Sequence, residues 1–556
     1  MAISFLDRLL GLSRMQRIYA SHKMQGLSKE AFSDRLLEAL NVRIKNQQGI
    51  ISAVPQEGAV VIASNHPFGG LEGVILARVL GQARPDLKVL ANFALEMFAE
   101  LKDYFIFTNP LSERDPRNGP SLRACMGHVK KGGALMLFPA GRVSYFRKDL
   151  NRISEHQWNR IVAKLICAGD AHYVPVFVEG VNSKKFYRAG RIHDSLRMFF
   201  LGHELLNKRG QEISIQVGNP VSRKLVDSGN LSETAALCRA LSYAISNQWC
   251  SPWTEQQSRH FTPLADKVDR QLIKAELAAL PDDQQLLSYK GFDVYYGQQA
   301  QFPNVVQEIA RQRERVFREH DEGSGAAIDS DHFDATYTHL LVVERDSGDI
   351  IGAYRMGRTD KLLQHGGIEH LYLSQMFDFK PAFYNQQEPC LELGRSFVVP
   401  EQQKSFHGLY LLWRGIAAFV CKYPQYRRLY GTVSLSKLYD KRSLAIIREA
   451  LISPHNSVAA KVPFDHALHP ELVDFHTEYG LRPYVSTFLK TIEADGKDIP
   501  ILLKHYMKLG AEFYALGLDG NFADTPGLLL SVDLKSIPEK SARQFFGKQY
   551  DTYYTE

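Results

Sequence analysis

Residues 58–80, GAVVIASNHPFGGLEGVILARVL, decide the fold of the first half of this chain. An apolar run from Val60 to Ala63 enters a polar, glycine-rich turn, and helical spacing of apolar residues resumes at Leu71. Similar apolar runs at ALMLFP (134–139), HYVPVFVEG (172–180) and EISIQVGNP (212–220) are separated by helical stretches. The alternation predicts an α/β domain over residues 1–260.

A chain of 556 residues with 45% hydrophobic and 23% charged positions is neither disordered nor fibrous, and its length predicts two or more domains. The net charge of +6 permits an anionic membrane surface as a partner without demanding one. Nucleic acid is not expected, because the basic residues form no long run and no recognition motif occurs. Six widely spaced cysteines, Cys125, Cys167, Cys238, Cys250, Cys390 and Cys421, contain no Cys-x-x-Cys pair and read as reduced cytoplasmic thiols. The opening segment interrupts Phe5, Leu9, Leu10 and Leu12 with charges, so it lacks the continuous apolar core of a signal peptide. Phe5, Leu9, Leu12 and Ile18 near one helical face fit either an interfacial helix or a helix packed on its own domain. No stretch reaches the roughly 18–20 apolar residues of a membrane span, so membrane contact is expected to be peripheral, on the inner face of the cytoplasmic membrane.

Residues 254–288 are polar, helical and broken at Pro263 and Pro281, which reads as a connector with the boundary near 260–285. Beyond it come FDVYYG, a helix through VVQEIARQRERVF, strands THLLVVERD and IIGAYRMGR around the turn Asp346-Ser347-Gly348, the strand CLELGRSFVVP and the helix LYLLWRGIAAFVCKY. These predict a second mixed α/β domain over 261–556 with more antiparallel pairing.

In SNHPFGGLEG, His66 and Glu72 leave a strand end within one turn that Gly69 and Gly70 allow to bend. A carboxylate on one imidazole nitrogen fixes the tautomer and makes the other a base for a hydroxyl. The same pair also serves as a structural cap in many folds. LMLFPAGRVSY (135–145) repeats the strand-then-turn design and puts Pro139, Gly141 and Arg142 beside the first loop in a parallel sheet. Asn65-His66-Pro67 with its Gly-Gly turn, Phe138 to Ser144 and Val174-Pro175-Val176 resemble, in this order, the blocks of the glycerolipid (1-acylglycerol-3-phosphate-type) acyltransferases, over roughly residues 40–225. The resemblance implies a catalytic His66–Glu72 pair and substrate contacts from Asn65, Gly69, Gly70, Pro139, Gly141 and Arg142. The chain departs from the family's His-x4-Asp by placing Glu72 after five intervening residues, and Ala140 stands where the phosphate-binding block has glutamate. Those departures point to a hydroxyl on a lipid other than a phosphate-bearing glycerol.

In the second half, Arg313 and Phe317 share a helical face, and Asp329, Asp331 and Asp334 follow in a polar loop that reads either as a site for a cationic amine or as a solvated surface. Period-two alternation sets Glu392 and Arg395 on opposite strand faces. They read either as structural ion-pair members or as the lining of a cleft. The histidines show no trusted metal-ligand spacing, and no metal is assigned. Arg313-x3-Phe317, Asp331-x2-Asp334, the strand 351–355 and Glu392-x2-Arg395 resemble acyl-homoserine-lactone synthases and, more closely, GNAT-like lyso-ornithine lipid N-acyltransferases, over roughly 285–535. That resemblance implies Glu392 as the base and Arg313, Phe317, Asp331, Asp334 and Arg395 as substrate-binding residues. It also implies a 3-hydroxyacyl donor on acyl carrier protein, with Arg427 and Arg428 as docking positions. A GNAT pyrophosphate loop is not recognisable near 401–409, which disfavours acyl-CoA as donor while leaving it open, and no bound cofactor is expected.

Together the halves resemble bifunctional ornithine-lipid or amino-acid-lipid synthases. The second half would N-acylate the amino acid, and the first would esterify the new 3-hydroxyl of the lyso-lipid. The competing reading is a glycerophospholipid acyltransferase with a non-catalytic module that binds acyl carrier protein.

Overall fold

A computed structural model describes residues 12–109, 115–193, 200–253, 261–320, 322–380, 383, 388–403, 405, 407–454 and 457–555. Phe5, Leu9 and Leu10 of the expected interfacial helix lie outside them. In the helix Leu12–Ser21, Met15, Ile18 and Tyr19 pack against the core of their own unit.

The chain forms two units, Met1–Ser251 with Ala467–Asp498, and Pro252–His466 with Ile499–Glu556. Among the described residues the first holds nine strands: β1 Arg43–Lys45, β2 Val60–Ser64, β3 Lys88–Asn92, β4 Phe105–Thr108, β5 Ala134–Leu137, β6 Tyr145–Arg147, β7 Arg152–Ser154, β8 His172–Val178 and β9 Glu212–Val217. Seven of them make one sheet in the order β1-β9-β8-β2-β5-β3-β4, and β6 and β7 form a separate hairpin. All neighbours in the large sheet run parallel except β8 and β9. Every residue of β2 and β5 is buried, as continuous apolar runs demand in a parallel sheet covered on both faces. Val60 and Ile62 join the cluster made with the helix Leu71–Ala83. Val61 and Ala63, on the opposite face, are equally buried. Because β2 and β5 are adjacent and parallel, the loops at their carboxyl ends meet, which brings the His66 and Pro139–Arg142 segments together.

The second unit holds β10 Gln285–Tyr289, β11 Phe292–Gln298, β12 Thr338–Glu344, β13 Ile350–Arg358, β14 Phe377–Phe379, β15 Cys390–Val398, β16 Arg428–Ser434, β17 Val458–Ala460, β18 Glu512–Asp519 and β19 Thr525–Asp533. Eight of them form one sheet, β10-β11-β12-β13-β15-β16-β19-β18, and only β15 and β16 pair parallel within it. The register of β13 against β15 slips from Ala353↔Phe397 to Arg355↔Gly394, so β15 carries one extra residue. Arg395 lies at this bulge with φ of 50°, a left-handed conformation rare for a side chain of its size.

The boundary drawn from sequence put everything after 260 in one domain. The contacts instead place Ala467–Asp498 in the first unit. Its helices Pro470–Tyr479 and Val485–Ile492 are tied there by polar bonds. Asn219 donates to the carbonyls of Lys490 and Glu493 at 2.9 and 2.6 Å, Tyr484 donates to Glu233 at 2.6 Å, and Thr487 donates to the Leu225 carbonyl at 3.1 Å. Gly218 gives the backbone this close approach, since a Cβ there would stand 2.9 Å from the Thr491 methyl.

Candidate active sites

In the first unit, the turn after β2 closes on the start of the helix Leu71–Ala83. Gly69 has φ of 97°, and a Cβ there would meet Val143 at 2.7 Å and Leu201 at 2.6 Å, so conformation and space both require glycine. Glu72, in the first helical turn and without solvent exposure, accepts N–H bonds from Phe68 and Gly69 at 2.8 Å and from Gly70 at 3.0 Å. Its Oε1 stands 2.9 Å from His66 Nδ1. Although burial alone would raise its pKa, the neighbouring imidazole and these N–H donors hold the Glu72 carboxyl down at about 2. Glu72 is therefore a fixed anion that orients the ring, leaving Nε2 as the proton acceptor.

The His66 ring stacks on Phe138 with centroids 4.4 Å apart. Its carbonyl accepts the Ser144 N–H at 2.9 Å, and its N–H donates to Glu155 at 3.1 Å. Both flanks of the turn are thus pinned. Beside the ring lies a cavity of about 550 Å³, whose lining includes His66, Gly69, Gly70, Pro139, Gly141 and Arg142. Asn65, expected at the substrate, is placed elsewhere: its amide donates to the Val178 carbonyl at 2.9 Å and accepts the Val178 N–H at 2.7 Å, clamping β2 to β8. Glu155 escaped the sequence reading because it follows a three-residue hairpin strand too short for a periodic signal.

In the second unit a cavity of about 500 Å³ is lined by Phe317, Arg355, Tyr372, Glu392 and Arg395, with Glu322 and Asp519. The bulge explains why Glu392 and Arg395 both reach it, since one extra residue reverses the alternation that would have parted them. Glu392 is 2% exposed and accepts Tyr337 and Tyr430 hydroxyls at 3.0 and 3.1 Å and the Leu373 N–H at 3.1 Å. Burial outweighs these donors and lifts its pKa to about 7.

Arg313, Asp331 and Asp334 do not line that cavity. Arg313 donates to both Asp334 oxygens, at 2.9 and 3.0 Å, and Arg355 donates to Asp331 and Asp334 at 2.5 and 3.1 Å. Asp329 lies 3.0 Å from Arg313 and 3.7 Å from Arg395. Three carboxylates thus face three guanidiniums, so the acidic loop is compensated within the unit and is neither a solvated surface nor an open amine site. Its product is the placement of Arg355 and Arg395 at the cavity wall. Arg355 was legible only as part of a strand. Its Nη2 is buried and finds no hydrogen-bond partner among the described residues. Arg427, expected to meet an acyl carrier, is held bidentately by Asp533 at 2.8 and 2.6 Å. Among the described residues no cluster of histidine, cysteine and acidic side chains could hold a metal ion.

Comparison with known proteins matches a family model described as "Acyltransferase" to residues 41–251 and one described as "Acetyltransferase (GNAT) domain" to residues 312–414. A glycine N(alpha)-acyltransferase of Bacteroides thetaiotaomicron is 29% identical over 294 residues, covering 48% of this chain and 85% of that protein. A lyso-glycine lipid O-acyltransferase of Phocaeicola vulgatus is 26% identical over 207 residues, covering 35% and 70%. An L-ornithine N(alpha)-acyltransferase of Agrobacterium fabrum is 29% identical over 226 residues, covering 40% and 72%. The chain is an acyltransferase, with an acyltransferase-like α/β region at its start and a GNAT domain beyond it.

Proposed function

We propose that this enzyme makes an amino-acid lipid in two steps, one in each unit. In the second unit, the α-amine of an amino acid attacks the thioester of a 3-hydroxyacyl group. The N–C bond forms as C–S breaks, Glu392 takes the amine proton directly or through water, and the thiolate leaves with the carrier. In the first unit, His66 Nε2 takes the proton of the lyso-lipid's 3-hydroxyl as that oxygen attacks a second acyl thioester, while Glu72 steadies the imidazolium. The O–C bond forms as C–S breaks, and the carrier leaves as the thiol with the proton His66 returns. Acyl carrier protein is the proposed donor in both, with acyl-CoA as the alternative carrier.

The observation that carries this reading is the pairing of two separate cavities, each with its own base, in a chain similar to proteins named for the N- and the O-acylation step. Ornithine is the proposed amino acid. Arg355, which lines the cavity, suits an α-carboxylate, and Glu322 and Asp519, which line it too, suit a second ammonium that glycine lacks.

The lipid acceptor makes a membrane surface the proposed partner. No helix among the described residues is long and apolar enough to cross a membrane. The helix Lys184–Ile192, KKFYRAGRI, presents exposed Lys184, Lys185, Arg188 and Arg191 with no acidic residue, and its Ile192 is 80% exposed. Its Phe186 and Tyr187 pack with Val143, which lines the His66 cavity.

Mass spectrometry of total lipids from a host lacking amino-acid lipids tests the reading. Expression should yield an amide-linked lipid with two acyl chains, His66→Ala should stop at one chain, and Glu392→Ala should give neither product. Unchanged diacyl lipid in His66→Ala would overturn the assignment of the first unit. Altered phospholipid chains without any amide-linked lipid would favour a glycerophospholipid acyltransferase.

A further inference from the structure

Behind the His66 turn lies a row of buried charges that neither proposed step uses. Glu155 has no solvent exposure; one carboxylate oxygen accepts the His66 N–H at 3.1 Å and the other accepts the Trp158 indole N–H at 2.7 Å. Next to it, Ser154 accepts from Arg239 at 3.0 Å and donates to Glu471 at 2.7 Å. Arg239 Nη2 lies 2.7 Å from Glu471 Oε2, and Arg152 lies 3.5 Å from Glu471 Oε1. Glu471 is 4% exposed and begins the helix Pro470–Tyr479, more than three hundred residues beyond Ser154.

We infer that Glu471 is a positioning residue for the His66 base. Arg239 Nη2 reaches the Ser154 hydroxyl at 3.0 Å and the Glu155 backbone carbonyl at 3.5 Å, so Arg239 and Glu471 together brace the segment that carries the Glu155 side chain. Glu471 holds Arg239 at ion-pair distance, which leaves the Glu155 carboxyl, its pKa raised by burial against the pull of Arg239, free to accept the His66 N–H and the Trp158 indole N–H. Without Glu471, the buried guanidinium loses its close anion and is drawn onto the Ser154–Glu155 segment it already touches. Turning toward Arg239 would take Glu155 from the His66 N–H and release one of the pins that aim the ring. A residue outside both regions matched by family models thereby supports the first unit's chemistry.

The inference rests on the proposed O-acylation, so its test carries a readout that does not. In the full-length enzyme, O-acylation of a synthetic N-(3-hydroxyacyl) ornithine is compared with N-acylation in the same preparation. Glu471→Ala should lower kcat of O-acylation at least tenfold, with KM for the lyso-lipid and the rate of N-acylation each within twofold of the parent. Arg239→Met with Glu471→Met, which removes both charges, should recover to within threefold of the parent. In proton NMR, the downfield imidazole N–H signal that His66→Ala abolishes should be lost in Glu471→Ala and regained in the double variant. Should the parent N-acylate without O-acylating, the reading of the first unit fails and the NMR comparison still decides the positioning role. Glu471→Ala that keeps both O-acylation and the His66 signal, a double variant as impaired as the single, or equal loss of both activities overturns the inference.

Discussion

Glu72 Oε1 lies 2.9 Å from His66 Nδ1 while accepting two backbone N–H groups of the turn between them. One carboxylate therefore orients the ring and shapes the loop that carries it. Glu72→Gln should cost O-acylation on the order of a hundredfold in kcat, since a neutral amide neither fixes the tautomer nor stabilises the imidazolium. It should also turn an NH₂ group toward backbone donors, destabilising the first unit by roughly 1–3 kcal/mol. Single-turnover assays and thermal melts separate the two effects. Because the folded pKa of about 2 lies below the ordinary 4.5, the stabilisation by Glu72 is complete above about pH 4.5 and disappears as pH falls toward 2.

Glu392 predicts the opposite sign. Its carboxyl is raised to about 7, so the native state keeps a proton that the unfolded chain releases near 4.5. Its contribution favours folding at acid pH and is lost as pH rises toward 7. The base form appears over the same interval, so kcat/KM for N-acylation should climb about tenfold per pH unit below 7 and level above it. Tyr430→Phe removes a donor to the ionised carboxylate and should move the inflection to higher pH. A pH–rate profile that stays flat from 5 to 8 would exclude Glu392 as the base.

Asp334 is 1% exposed and serves two arginines, whereas the Asp331 side chain is 24% exposed. Asp334→Asn should therefore destabilise the second unit by about 3–5 kcal/mol, as for any buried ion pair that loses one partner. Asp331→Asn should cost less, because water reaches the Asp331 side chain and its buried partner Arg355 keeps Asp334. Thermal unfolding of the two variants ranks them.

Reversing Lys184, Lys185 and Arg188 to glutamate should reduce binding to vesicles containing anionic lipid at least tenfold, at roughly 1 kcal/mol for each basic residue near the surface. Binding of the parent should weaken as salt increases. Flotation assays measure both, and equal binding to neutral vesicles by parent and variant would point to an apolar contact alone.

How much of this was legible follows from how local each signal is. The strand-turn-helix around His66 is continuous in sequence, so the His66–Glu72 contact could be foreseen, and burial on both faces marked β2 and β5 as apolar runs. The strands β1, β3 and β4 are three to five residues long and carry too little pattern to register. Asn65 misled because a motif position does not reveal whether an amide faces a ligand or a neighbouring strand. Strict alternation parted Glu392 from Arg395, and a bulge reunited them. The helices PELVDFHTEY and VSTFLKTI display apolar faces in the sequence, but amphipathicity does not say which core a face will meet.

That last feature bears on the order in which the protein is born. A ribosome releases residues in sequence, and a domain made of one continuous stretch can finish folding as it emerges. The first unit cannot, because its final helices arrive only after the strands from β10 to β17 have been synthesised. Until then Asn219 and Glu233 lack the partners those helices bring, Arg239 lacks its anion, and the face awaiting those helices stays uncovered, so the first unit to begin folding must wait for most of the second to be made.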